Sequence, residues 1–438
     1  MLQIAEFPVT YPSVAALSDT HSPEPNKLVA TPPLVNCEIC VVIPVRNEAA
    51  NIVAALQALT HQLDLQGQPF AYNCYEVIVL ANNCTDDTAA IARLWAAQHP
   101  RLQLHIVEIT LAAVDAHVGR ARRILMDEAH RRLMWLERPR GIIATTDGDT
   151  VVAPDWLAAT WAEIANGADG VGGRITINRA EREAFQARRL YLRDNGYHFL
   201  VAEIEHFYEA HPYDCWPRHH QHFGASFALT TQMYQRVGGL PPLRALEDVA
   251  LYRAIMREDG SFRHSPAVRV TTSGRQYGRT EYGLAPQLRY WLELEAGRQA
   301  CLVESAAAIE MRLQCRQSLR QLWQQERIGQ PIKSSQIAVL AEDLGIEADW
   351  LAAALVQSQP FGMLYEQMEM RQQAKGVWAG RWPQADLAQV IAELRLRLET
   401  IRRQRAFSLR RTQTARRGQQ QITSCQLKPD ILNDVSRK

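Results

Sequence analysis

Residues 141–149 read Gly-Ile-Ile-Ala-Thr-Thr-Asp-Gly-Asp, which is an apolar run followed at once by two acidic residues. A short apolar run rich in β-branched residues predicts a strand that is buried on both faces of a sheet. Asp147 and Asp149 then lie just beyond the end of that strand. Two carboxylates in this arrangement can hold a divalent cation, although Asp-Gly turns without such a role are also common.

The chain before this segment repeats a strand-then-helix order three times. The predicted strands cover 40–45, 75–80 and 102–109, and the predicted helices cover 49–59, 89–98 and 118–136. This alternation predicts an α/β fold in which a mostly parallel, Rossmann-like sheet is flanked by helices. Ligands bind beyond the carboxyl ends of the strands in such sheets. We therefore expect one edge of the sheet to collect Arg46, Asn82, Asn83, Asp147 and Asp149.

The bulk composition is that of an ordinary globular protein. Of 438 residues, 22% are charged and 47% hydrophobic, and the formal net charge is +1. The near-neutral charge gives no indication of nucleic-acid binding. We expect no membrane span and no secretory signal, because the apolar stretches are short and residues 1–31 lack a basic-then-apolar order. Eight cysteines without disulfide or zinc spacing predict reduced thiols and a cytoplasmic location.

Seven segments of the chain resemble, in order, the motifs of family 2 glycosyltransferases, which have the GT-A fold. They are 41–48 (VVIPVRNE), 82–88 (NNCTDDT), 119–123 (GRARR), 147–149 (DGD), 223–229 (FGASFAL), 237–240 (VGGL) and 247–251 (EDVAL). The resemblance covers about residues 39–275. Each motif is short, but chance does not account for their recurrence in the family's order.

The resemblance implies a metal-dependent reaction with a nucleoside-diphosphate sugar as sugar donor. Asp149 corresponds to the direct ligand of Mg²⁺ or Mn²⁺, and Asp147 to a contact with the donor ribose or a metal-bound water. Such a cation neutralises the charge that develops on the departing diphosphate. In some proteins of this fold a histidine after the Glu-Asp helix is a further metal ligand, and His264 has that place here. The alternative is that His264 is a surface histidine.

Asp248 is the candidate catalytic base, which would deprotonate the acceptor hydroxyl for in-line attack. Glu247 would orient the acceptor or the neighbouring helix. The alternative is that both acids only stabilise the first turn of a helix through its dipole. Direct displacement needs a single base, so we expect inversion at the anomeric carbon.

Further residues correspond to the family's nucleotide-sugar contacts. They are Pro44, Arg46, Glu48, Asn82, Asn83, Arg122, Arg123 and Asp147. Ala81 and Asn82 stand where the family usually has two acids, so the resemblance does not extend to a uridine donor. For the arginines, a solvated helix face is the alternative.

Beyond about residue 290 the pattern becomes helical and predicts an all-α extension. We expect a flexible lead-in over 1–36, a GT-A domain over 37–285, a helical domain over 286–400 and a basic, disordered tail over 401–438. Seven arginines and no acid occur between residues 401 and 421. Such a tail can contact anionic lipid at a membrane surface, and a solvated tail is the alternative.

These features predict a glycosyltransferase that acts on a small-molecule, glycan or lipid-linked acceptor. A catalytically inactive GT-A scaffold that binds a partner and a retaining transferase of related fold are the alternatives. A nucleotidyltransferase is disfavoured, because residues 44–48 do not form a Gly-rich, basic loop after the first strand.

Overall fold

The computed structural model describes residues 27–178, 181, 188–209, 211–276, 278 and 282–405. Its central sheet has eight strands in the order β3-β2-β1-β4-β7-β6-β8-β5. They are β1 (Ile39–Val45), β2 (Tyr75–Asn82), β3 (Gln103–Ile109), β4 (Ile142–Thr145), β5 (Thr150–Val152), β6 (Gly170–Ile177), β7 (Phe227–Thr230) and β8 (Phe262–Thr272). Six strands point the same way, whereas β7 and β5 run antiparallel to their neighbours.

Helices cover both faces of the sheet. They are α1 (Ile52–Thr60), α2 (Thr88–Gln98), α3 (Val118–Trp135), α4 (Trp156–Ala165), α5 (Arg188–Tyr208), α6 (Thr231–Arg236) and α7 (Glu247–Arg257). The apolar sides of α1, α2 and α4 form one core with the sheet, and those of α3, α6 and α7 form the core on the other face. All eight residues of β2 are buried, as expected for a strand between two helical layers. The predicted mostly parallel sheet flanked by helices is confirmed.

The C-terminal region is helical, as predicted. It contains α8 (Leu284–Ala296), α9 (Ala306–Arg327), α10 (Ser334–Leu344), α11 (Ala348–Val356), α12 (Phe361–Lys375), α13 (Val377–Arg381) and a last helix over 387–405. A two-residue ladder of β9 (Leu302–Val303) and β10 (Ala385–Asp386) interrupts the helices. Helices α9 to α12 share one core, and α5 joins α8, α9 and the last helix in another.

One helix of this region, α12, packs directly on α7. A Cβ atom added to Gly362 would lie 1.7 Å from the Met256 carbonyl oxygen, so the two backbones touch. The Asp259 carboxylate accepts hydrogen bonds from the amides of Phe361 and Gly362, each at 2.8 Å. Beside them, Arg257 and Glu366 form an ion pair (Nη2–Oε1 2.7 Å). The start of α12 is therefore fixed to the end of α7.

The ends of the chain lie partly outside the described residues. Within the predicted lead-in, residues 27–36 pack on α3, where the Val29 amide donates to Glu128 and Arg132 donates to the Thr31 carbonyl (2.8 Å). Residues 1–26 and 406–438 are not described, so the lipid contact expected of the tail remains a prediction. Among the described residues, none of the helices combines the length and apolarity needed to cross a membrane.

Candidate active site

Several loops meet at the edge of the sheet where β1, β2, β4 and β8 end and β7 begins. We call this edge the strand-end rim. It consists of residues 46–48, 82–83, 147–149, 223–224 and 273–275, and the start of α7 lies against it. The rim follows from the strand directions, because parallel strands end on the same side and an antiparallel strand begins there.

The Asp147-Gly148-Asp149 turn lies tightly against the end of β1. A Cβ atom on Gly148 would come within 2.6 Å of Val45 Cγ1 and 3.2 Å of Glu48 Cγ, so the turn requires glycine. The side chain of Asp149 is 12% exposed. Burial and the nearby Asp147 charge raise the pKa of Asp149 to about 6. This carboxylate therefore stands in a site that favours an added positive charge.

Arg275 is a residue of this site that the sequence analysis missed. It forms two hydrogen bonds with the Glu48 carboxylate (2.8 and 3.1 Å), and its Nη2 also lies 3.1 Å from Asp149 Oδ2. Arg275 follows the end of β8, which is parallel to β4. The rule that ligands bind at the carboxyl ends of strands would have found it, had the place of β8 in the sheet been known.

Arg122 connects the acidic turn to the start of α7. Its guanidinium donates to Asp147 (2.6 Å), to Thr145 Oγ1 (3.2 Å) and to Glu247. The residue is 3% exposed. Its Cζ lies so close to Gly224 that an added Cβ would be 2.6 Å away. Each nitrogen of the group thus makes a hydrogen bond within the protein, which positions the acidic turn against α7, and the nucleotide contact of Arg122 stays a prediction.

Arg123, the second predicted nucleotide contact on α3, faces another part of the molecule. Its side chain donates to Asp127 (2.6 Å) and to the carbonyls of Gly238 (3.0 Å) and Leu240 (2.9 Å). It therefore fastens the 237–240 turn to α3. The structure does not bring Arg123 to the rim with the other predicted residues.

Asp248, the candidate base, is held at the first turn of α7. Its Oδ2 accepts a hydrogen bond from the Gly224 amide (2.6 Å), and its Oδ1 accepts one from the Val249 amide (2.8 Å). Leu246 precedes the helix in the left-handed region (φ 60°, ψ 26°), a strained conformation for a leucine. Burial raises the pKa of Asp248, although the Arg122 charge opposes this rise. A carboxylate with a raised pKa is a stronger base.

The loops after β1 and β2 are joined to each other. Asn47 and Asn83 both have positive φ angles (55° and 52°), which asparagine tolerates better than most residues. The Asn47 Oδ1 accepts from the Thr85 amide (2.7 Å). Both amide atoms of Asn83 bond to the backbone of Leu111, at 3.0 Å each. Asn83 therefore fixes the loop after β2 to the backbone of Leu111.

Asn82, by contrast, has a side-chain oxygen that can accept a hydrogen bond from a ligand. The residue is 3% exposed, and its Oδ1 finds no hydrogen-bond donor among the described residues. A buried acceptor without a partner is costly and suits a ligand N–H group. Nearby, Pro44 is half-buried and Arg46 is exposed, with its Nη1 donating to the Ala116 carbonyl (3.2 Å).

His264 is neither beside Asp149 nor on the surface. It is 5% exposed, and its Nδ1 lies 2.9 Å from Asp214 Oδ2. The β6 partner of His264 is Gly172, five residues before Ile177, which pairs with Thr272, the partner of Thr150. At about 3.3 Å per residue of β6 this is roughly 16 Å from the strand end, and no contact among the described residues joins His264 to Asp149, so its metal role stays a prediction. The number of residues between α7 and His264 does not show where His264 lies along the bent strand β8.

The carboxylates Asp147 and Asp149 suit a hard divalent cation. Within the described part of the chain, no cluster of three or more His, Cys, Asp and Glu side chains has a metal-holding arrangement. Mg²⁺ and Mn²⁺ sites on nucleotides need few protein ligands, because phosphate oxygens and water complete the shell. The pair at 147 and 149 fits that requirement.

Four of the five rim segments lie in a part of the chain that matches a known family. Residues 40–235 match the sequence profile of Glycosyl transferase family 2. Glycosyltransferase AglE of Haloferax volcanii is 30% identical over 139 residues, which are 31% of this chain and 39% of that protein. The match thus spans well under half the length of this curated relative.

Two solved structures align with most of this chain at low similarity. Mannosyltransferase PcManGT from Pyrobaculum calidifontis, in complex with GDP-Man and Mn²⁺, has a TM-score of 0.39 at 18% identity, over 80% of this chain and 88% of its own. S. aureus TarS 1–349, in complex with UDP-GlcNAc, has a TM-score of 0.37 at 12% identity, over 77% and 92%.

Proposed function

We propose that this protein transfers a sugar from a nucleoside-diphosphate sugar to a hydroxyl acceptor, because residues 40–235 match the profile of Glycosyl transferase family 2. One observation carries the proposal. Arg122 binds Asp147 of the acidic turn with one nitrogen and Glu247, the neighbour of Asp248, with another. One buried guanidinium thus joins the acidic turn to the residue beside the candidate base, so the groups proposed for the sugar donor and for the acceptor lie close together, as a transfer between two bound substrates needs.

On the sugar-donor side, Asp149 and Asp147 would hold Mg²⁺ or Mn²⁺, which supplies charge neutralisation for the departing diphosphate. The unpaired Oδ1 of Asn82 would accept an N–H group of the nucleobase. Pro44 and the backbone after β1 would border the ribose. Glu48 holds Arg275 beside these groups.

On the acceptor side, Asp248 would take the proton of the attacking hydroxyl. The Gly224 amide and the first turn of α7 orient its carboxylate, so no reorientation is needed at the moment of transfer. One base acting in a single displacement inverts the anomeric carbon. The proposal covers a small-molecule, glycan or lipid-linked hydroxyl as acceptor, and a cytoplasmic location in which the cysteines stay reduced. The seven cysteines among the described residues are free thiols.

The test measures nucleoside diphosphate released from UDP-, GDP- and dTDP-sugars in Mn²⁺, with water or an added hydroxyl compound as acceptor. We expect release from at least one sugar donor, and a rate about 10²- to 10⁴-fold lower in Asp248→Asn with nucleotide affinity unchanged. Asp155→Asn, which neutralises a surface carboxylate paired with Arg269, is the control. A wild-type rate in Asp248→Asn would reject the base, and no release from any sugar donor would favour the inactive scaffold.

A further inference from the structure

Arg275 lies beside the Asp149 carboxylate, where a divalent cation would bind. Its Nη2 is shared between Asp149 Oδ2 (3.1 Å) and Glu48 Oε1 (2.8 Å), and its Nη1 bonds Glu48 Oε2 (3.1 Å). The carboxylate of Asp149 therefore has a positive partner from the protein itself. A divalent cation that binds Asp149 must compete with this guanidinium.

The two contacts of Arg275 differ in strength. The pair with Glu48 has two hydrogen bonds and lies against a carboxylate that is 5% exposed, whereas the pair with Asp149 has a single contact at 3.1 Å. Bidentate arginine–carboxylate pairs are the stronger and more directional kind. An approaching cation would displace Arg275 from Asp149 before it displaced Arg275 from Glu48.

The displaced guanidinium would stay at the rim. Glu48 holds it next to the Asp147-Gly148-Asp149 turn, since Glu48 Cγ lies against Gly148. A guanidinium fork matches the geometry of phosphate oxygens, and its proton is not lost at any working pH. With the diphosphate of the sugar donor bound at the turn, Arg275 would have a new anionic partner within reach.

We propose that Arg275 is a resident counter-ion that neutralises Asp149 until a divalent cation replaces it, and that it then binds the donor diphosphate. This inference rests on the proposed function, because it takes the sugar donor and cation to bind at the acidic turn. Arg275 thus weakens the binding of the metal alone and strengthens the binding of the nucleotide. The protein would take up the cation and the nucleotide together rather than one after the other.

The two opposite effects give a direct test. Binding of MnCl₂ without nucleotide is followed through the electron-spin signal of free Mn²⁺, and binding of UDP, GDP and dTDP in saturating Mn²⁺ is followed by calorimetry. In Arg275→Gln we expect Mn²⁺ to bind about tenfold more tightly and the preferred nucleotide about tenfold more weakly. Arg275→Lys, which keeps the charge, should restore the weaker Mn²⁺ binding of the wild type.

Arg269→Gln is the matched control. Arg269 lies on the same strand β8 and pairs with Asp155 at 3.0 Å on the surface, away from the acidic turn. It should leave both affinities unchanged. A structural role for Arg275 would lower both affinities in Arg275→Gln, and an incidental contact would change neither, so each of these results would overturn the inference.

Failure of the inference is distinguishable from failure of the proposed function. In one outcome the wild type binds a nucleotide only when Mn²⁺ and Asp149 are present, while Arg275→Gln either lowers both affinities or changes neither. That outcome rejects only the counter-ion role. If neither protein binds Mn²⁺ with or without any of the three nucleotides, the metal-dependent sugar-donor site is rejected together with it.

Discussion

The two halves of the candidate site are held in place by different parts of the chain. Asp149 lies in a loop that follows β4 directly, and its neighbours Glu48 and Arg275 come from other strand ends of the same sheet. Asp248 lies at the start of α7, and the end of that helix is fixed by α12, which begins about a hundred residues later. The sugar-donor half is thus built on strand ends of the sheet and on Arg122 of α3, whereas the acceptor half also depends on the C-terminal helices.

This difference predicts which substitutions affect one half of the site and which affect both halves. A change at the junction of α7 and α12 should alter turnover and leave nucleotide binding intact. A change at Arg122, which contacts both halves, should affect both. The substitutions below test this contrast, from the largest expected effect to the smallest.

Arg122→Gln should have the largest effect, because it leaves the buried carboxylate of Glu247 (side chain 4% exposed) without its positive partner. Breaking a buried ion pair from one side costs about 3–5 kcal/mol. We expect that loss in chemical denaturation, together with loss of turnover. Arg122→Met combined with Glu247→Leu should recover much of the stability but none of the turnover. If the double variant is as unstable as the single one, the loss does not come from the unpaired charge.

Asp149→Asn should stabilise the nucleotide-free protein in EDTA. The folded-state pKa of Asp149 is about 6 against a usual 3.8, so the folded protein holds this proton more tightly than the unfolded chain. Its stability contribution therefore falls as the pH rises from about 4 through about 6. The asparagine variant should be more stable than wild type by about 1–3 kcal/mol at pH 8, and the gain should vanish near pH 4. A gain that is independent of pH would contradict the raised pKa.

Asp259→Asn should slow turnover several-fold without weakening nucleotide binding. Asparagine tolerates the positive φ of residue 259 (52°) and keeps one acceptor for the α12 amides, but it loses the other. The stability loss should be about 0.5–1.5 kcal/mol. The control is Asp64→Asn, the same removal of a carboxylate charge at a residue that accepts two backbone amides, both at Oδ1, in a surface turn far from α7 along the chain. If Asp259→Asn and Asp64→Asn slowed turnover equally, the result would contradict a special dependence of the acceptor half on α12.

Arg123→Gln should have the smallest effect on ligand binding. Arg123 fastens the 237–240 turn and does not reach the rim, so nucleotide affinity should change by less than about twofold, as measured by calorimetry. A loss of tenfold or more would show that Arg123 contacts the nucleotide, as the sequence resemblance suggested.

Much of the sugar-donor half could be predicted, because chain order fixes which loops follow parallel strands. Asp147, Asp149, Asn82 and Glu48 lie at the rim for that reason. Arg275 could not be found in this way, since its place depends on β8 lying beside β6, far from its neighbours in sequence. The orientation of an arginine on a helix is also invisible in sequence, so Arg122 and Arg123 looked equivalent.

The acceptor half was predictable only at its first residues. Glu247 and Asp248 stand at a helix start, as their motif indicated. The docking of α12 depends on a glycine at 362 and a capping carboxylate at 259, neither of which forms a recognisable motif. His264 is buried against Asp214 because β8 carries it into the core, and no local pattern predicts that pairing.

The most direct measurement is thermal stabilisation by UDP, GDP and dTDP, with Mn²⁺ or with EDTA, in the wild type and in Asp149→Ala. We predict that at least one nucleotide raises the unfolding temperature of the wild type in Mn²⁺, and that EDTA or Asp149→Ala abolishes this rise. The absence of stabilisation by all three nucleotides, or a rise that persists in Asp149→Ala, would contradict a metal-dependent sugar-donor site at the strand-end rim.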